Sequence, residues 1–106
     1  MKLLTKKIRT RLLDNHRAMI DPIDTELAVC KFFHPFSNWT WFAHSMDEYD
    51  ICYGYVVGHY PEFGYFSIEE LESVKVERDL YYYQETFKEI KARYTECEAS
   101  KRRMVS

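Results

Sequence analysis

Glycine and proline are scarce in this sequence, three of each, which argues against a scaffold built mainly of loops. The three glycines, Gly54, Gly58 and Gly64, are too few and too scattered to cradle a phosphate. There is no Gly-x-Ser-x-Gly, no His-Glu-x-x-His and no calcium-binding loop pattern. The three cysteines, Cys30, Cys52 and Cys97, are an odd number without a Cys-x-x-Cys pair. A disulfide framework is therefore not expected, and free thiols in a reducing cytoplasm are. No apolar run approaches the roughly 18 residues that span a bilayer. Met1 to Ile8 carries Lys2, Lys6 and Lys7 but no apolar stretch behind them, unlike a secretory signal. A cytoplasmic protein with no membrane segment and no cofactor is the expectation.

What the sequence has in abundance is aromatic surface. Phe, Tyr and Trp make up 17% of 106 residues, in a globular composition that is 46% hydrophobic and 30% charged. Large rings let a small domain build a dense core from few side chains. The charge is unevenly laid out. Residues 1–19 carry a net +5, residues 20–72 a net −9 and residues 73–106 a net +2. An acidic middle is flanked by basic ends.

Hydrophobic periodicity gives the elements. Thr5 caps an amphipathic helix from Lys6 to about His16, and Asp21-Pro22 breaks the chain after it. Leu27–Phe33 is an apolar run of strand length. Trp39–Met46 alternates, with Trp39, Trp41 and Ala43 on one face and Thr40, Phe42 and His44 on the other. Ile51–Val57 pairs with it as a hairpin across the turn Asp47–Asp50. Gly64–Phe66 reads as a short strand, and Ser67 with Glu70 as a capping box for a helix to about Ser73. Leu80–Tyr83 suits an edge strand or an extended link. Thr86 caps a last helix from about Phe87 to Glu98. The fold expected is α+β: an antiparallel sheet of three to five strands with the N- and C-terminal helices packed on one face. It forms one domain over 1–99, with a basic, frayed tail over 100–106.

Chemistry-bearing residues are harder to assemble. His16, His34, His44 and His59 lack metal-ligand spacing and read as edge or surface histidines. Asp47, Glu48 and Asp50 share one turn, where carboxylates are normally solvated rather than tuned for proton transfer. Cys52 beside His44 or His59 would make a nucleophile pair, though a strand cysteine usually serves as a small hydrophobe. The aromatics Trp39, Trp41, Phe42, Tyr53, Tyr55, Tyr65 and Phe66 would suit base stacking only with basic neighbours, and the neighbours are acidic.

Several segments resemble a known family. Leu3–Lys6, Lys31–Phe33 with Pro35, Asn38–Trp41, Tyr53–Val56 with Gly58, Glu62–Ser67, Glu70–Glu72 and Glu77–Asp79 are similar to a bacterial domain-of-unknown-function family. Its members are small proteins borne by plasmids, phages and integrative elements. The resemblance spans about residues 2–80. It implies a mobile-element setting, but no activity and no catalytic residues. The helix after Thr86 departs from the Pro-containing extended end expected there.

The expectation is thus a non-enzymatic module that binds another protein through an acidic, aromatic-edged surface. An inhibitor of a host defence or nucleic-acid-binding protein fits that description. The binding residues singled out are Trp39, Trp41, Asp47, Glu48, Asp50, Tyr53, His59 and Glu62. Two alternatives stand beside it. One is a ligand or enzyme pocket at the sheet edge using His44, His59, Glu62 or Cys52. The other is nucleic-acid binding through Lys6, Lys7, Arg9 and Arg11 and through Lys101–Arg103, which the acidic middle argues against. Nothing in the sequence sets an oligomeric state.

Overall fold

In a computed structural model that describes residues 2–94, the chain folds as α+β. The order is α1 (Lys6–Arg17), β1 (Cys30–Phe33), β2 (Thr40–Met46), β3 (Ile51–Val57), β4 (Pro61–Ser67), α2 (Ile68–Ser73) and β5 (Glu77–Arg78). A third helix, α3, covers 87–94 of the described chain. The expected tail, 100–106, lies outside the described residues.

The five strands form one antiparallel sheet in the order β4-β3-β2-β1-β5. Short links force each strand of β1–β4 beside its predecessor. Local chemistry starts the helices. Thr5 Oγ1 accepts from the Ile8 amide at 3.1 Å, and Ser67 Oγ from the Glu70 amide at 3.3 Å. Thr86 and Glu89 bond reciprocally at the start of α3, each satisfying an amide that a helix end would leave bare.

The sheet has a core on each face, which corrects the expectation of helices on one face. Leu12 of α1 and Ile68 and Leu71 of α2 pack with Phe32, Trp41, Ala43, Met46, Cys52 and Phe66. Phe87 and Ile90 of α3 pack with Ala28, Phe42, Tyr55 and Val57. Strand alternation explains the difference, because consecutive β2 residues point to opposite faces and both sets are apolar.

Three boundaries also moved. Of the run Leu27–Phe33, only Cys30–Phe33 joins the sheet, while Leu27 makes an isolated bridge to Thr86. Strand β4 runs from Pro61 rather than Gly64; proline is tolerated there because it opens an edge strand. The last strand is Glu77–Arg78, and of the two readings of Leu80–Tyr83 the structure shows a link, not a strand. Asp79 Oδ1 accepts from the Tyr81 amide at 2.9 Å, turning the chain. Tyr82 then folds inward, its hydroxyl donating to the Ala28 carbonyl at 2.7 Å and accepting from the Glu85 amide at 3.0 Å.

At Ala43–Ser45 the β2–β3 register shifts, leaving His44 as the extra residue of a bulge. Gly54 sits opposite, and a Cβ there would stand 1.9 Å from the Phe42 carbonyl oxygen. Only glycine lets the two backbones approach so closely. Gly64, its partner on β4, has open space instead. Gly54→Ala is therefore expected to cost about 3 kcal/mol of stability through forced strand separation. Gly64→Ala should stay within about 0.5 kcal/mol of the parent. Urea denaturation of the two variants checks the contrast.

Candidate functional site

The eight residues singled out do not form one patch. They fall into three places, set by the two ends and two faces of the β2–β3–β4 meander.

At the β2–β3 turn, the acids hold the fold. Asp47 Oδ1 accepts from the amides of Tyr49 at 2.8 Å and Ile51 at 3.0 Å. Asp50 takes a left-handed conformation, φ 62°, and accepts from Arg9 of α1 at 2.6 Å. Its carbonyl also takes the Ile68 amide at 3.1 Å, joining the turn to the start of α2. Glu48 makes no such bond among the described residues and lines an open cleft with Leu13, His16 and Arg17. The pairing of Arg9 also removes one of the four α1 cations offered for nucleic acid; Lys101–Arg103 lie outside the described residues.

Tyr53 belongs to an aromatic ladder on the α3 face. It lies opposite Tyr65 of β4, ring centroids 4.8 Å apart, and stacks on Phe63 at 6.0 Å. Tyr55 meets Phe63 edge-on at 5.1 Å. Tyr65 remains 78% exposed. The sequence pattern offered Tyr65 as a sheet aromatic, but the length of β4 and the part played by Phe63 were hidden by Pro61.

Trp39, His59 and Glu62 come together at the other end of the sheet, on the α1 face. They line an open cleft of about 530 Å³ with Val56, Gly58 and Tyr60. Register explains it: Trp41, Val56 and Glu62 lie in one row across β2, β3 and β4. Trp41 is the buried end of that row. The six-membered ring of Trp39 covers Gly58, where a Cβ would come within 2.4 Å of it. His59 stands edge-on to Trp39 at 5.6 Å.

Cys52 and His44 do not form a nucleophile pair. Cys52 lies in the α1-face core, whereas His44 packs against Phe87 of α3 at 5.9 Å on the opposite face. Burial pushes the Cys30 thiol up to about 12 and the Cys52 thiol higher still, so neither is a ready thiolate. His59 is at the far end of β3. No group of three or more metal-binding side chains gathers among the described residues, and no helix among them is long and apolar enough to cross a membrane.

His44 corrects the expectation of a surface histidine, since its side chain has no exposed surface. Neither ring nitrogen has a hydrogen-bond partner among the described residues. Nε2 stands 3.5 Å from Glu26 Oε1. The Asn15 amide donates to the His44 carbonyl at 2.8 Å, tying the bulge to α1.

A sequence model described as "Protein of unknown function (DUF2958)" matches residues 3–97. The chain belongs to this family. The DUF2958 match runs past residue 80 and takes in the segment after Thr86. No curated protein and no solved structure matches significantly.

Burial lowers the His44 pKa from its ordinary value, opposed by Glu26 and, more weakly, by Asp21. Protonation therefore favours the unfolded chain. Stability from this group is present above about pH 6.5, the unfolded value, and is lost as pH falls toward the lower folded value. Thermal unfolding followed between pH 7.5 and 5 should show that loss, and His44→Gln should flatten it.

Proposed function

We propose that this DUF2958 protein is a non-enzymatic binding module that accepts an extended, basic segment of another protein along β4. The observation that carries this reading is the open outer edge of β4. It is seven residues long, and no strand among the described residues pairs with that side. Natural edges are normally blunted by shortness, lysine or proline. β5, the opposite edge, is two residues long. β4 has no lysine, and its proline stands only at the first position.

An added strand gains backbone hydrogen bonds along about 23 Å, from seven residues at the usual strand rise. Its side chains alternate between the Tyr53–Phe63–Tyr65 ladder and the face carrying Glu62 and the open space at Gly64. Charge selects the partner. Residues 32–74 contain seven acids and no Lys or Arg. Asp50 is answered by Arg9, while Glu62 and the exposed Glu69 and Glu70 flank the two ends of β4. A basic chain is attracted to such a surface and a polyanion is repelled. A host nucleic-acid-binding protein, met by an accessory protein of a plasmid or phage, has segments of this chemistry.

A display library of random ten-residue segments tests the reading. Selection should enrich Lys and Arg alternating with apolar residues, with binding weakened by salt and by Tyr65→Lys. Slowed amide exchange should map to β4. Enrichment of acidic or uncharged segments overturns the reading. So does protection of β4 by a dimer of this chain.

A further inference from the structure

The cleft at the end of β4 has a chemistry of its own. Trp39 offers a large ring, 37% of the residue still exposed, and Tyr60 beside it is 73% exposed. His59 stands edge-on to Trp39, and Val56 and Gly58 are the uncharged, non-aromatic part of the lining. Glu62 adds a single carboxylate, and no cation pairs with it among the described residues. Aromatic faces carry negative quadrupole charge and attract organic cations, above all when a carboxylate is nearby. The same carboxylate disfavours an anionic ligand. At about 530 Å³ the cleft has the size of an ordinary small-ligand site and room for a long flexible side chain.

We infer that the Trp39–Tyr60–Glu62 cleft is a receptor for one organic cation on an apolar stem, the side chain of a lysine or arginine. It rests on the strand-addition reading in one respect: the cation is carried by the partner segment that lies along β4. The register supports the connection. Glu62 is a residue of β4 itself, directly opposite Val56, so its side chain and the outer edge of the strand share one end. A segment added there passes the cleft mouth as it leaves the sheet. The apolar stem covers Val56 while the charged head meets the rings and the carboxylate. The arrangement gives the site a preference that the edge alone lacks, a fixed basic position at one end of an otherwise backbone-read segment.

Blocked amino acids separate this site from the edge, because they are too short to add a strand. N-acetyl-lysine methylamide and N-acetyl-arginine methylamide should each give a saturable shift of the Trp39 indole N–H, assigned by its loss in Trp39→Phe. The neutral isostere N-acetyl-norleucine methylamide should give none. Glu62→Gln, a change at an exposed position, should weaken the cationic probes about fivefold. No saturable shift with either cation overturns the site, as does an equal response to the norleucine probe, or an affinity unchanged by Glu62→Gln. The two readings fail separately. Basic segments that protect β4 without moving Trp39 remove the cleft and leave the edge. Cationic probes that bind while no segment protects β4 remove the edge and leave a free-standing cation site.

Discussion

Phe42 and Ala43 are consecutive residues of β2, both without exposed surface, and each is locked into a different core. That alternation on the central strand is the constraint on which the molecule depends. Phe42 gathers Tyr82 and Tyr94 edge-on at 6.3 and 6.0 Å, so the chain after β5 must come back across that face. Ala43 leaves room on the other face, where α1 crosses β2. Burying a ring such as Phe42 is worth about 3 kcal/mol. A one-residue slip of β2 would send it and its neighbours to the wrong sides.

The bulge at His44 adjusts this alternation. One extra residue keeps Ala43 and Met46 in the same core while His44 goes to the α3 face. Its cost is a buried imidazole with unsatisfied nitrogens, and its support comes from two sides. Asn15 holds the carbonyl from α1, and Gly54 lets β3 close on the distorted backbone. The Arg9–Asp50 pair fixes α1 to the turn two residues short of Cys52. That pair is half-exposed and is worth under about 1 kcal/mol, so its role is register more than stability.

The parts of this architecture that obey a short period were legible in the sequence. The Thr5, Ser67 and Thr86 caps and the β2–β3 hairpin rest on residues within a few positions of each other. The placement of α3 was not. Whether a terminal helix covers the face of Phe42 or that of Trp41 depends on contacts some 45 residues away, which no local pattern records. His44 fitted the alternation, but the bulge that buries it comes from Gly54 on another strand. The acids Asp47 and Asp50 looked like surface charge because their partners are turn amides and a helix arginine. Trp39, His59 and Glu62 were individually visible, and only the β3–β4 register brings them into one cleft.

The same register explains why the open edge and the acidic ends occur together. β4 is last in a meander, so the α3 helix, packed over Phe42 and Phe63, reaches only part of its face. Lys91 crosses the Phe63 ring at 6.0 Å, but its charge is held by Asp24 at 2.7 Å. It therefore does not neutralise Glu62 or the start of α2. Tyr65 is left 78% exposed on the longer of the two sheet edges. On the proposed reading, acidic flanks would disfavour a second copy and favour a basic strand.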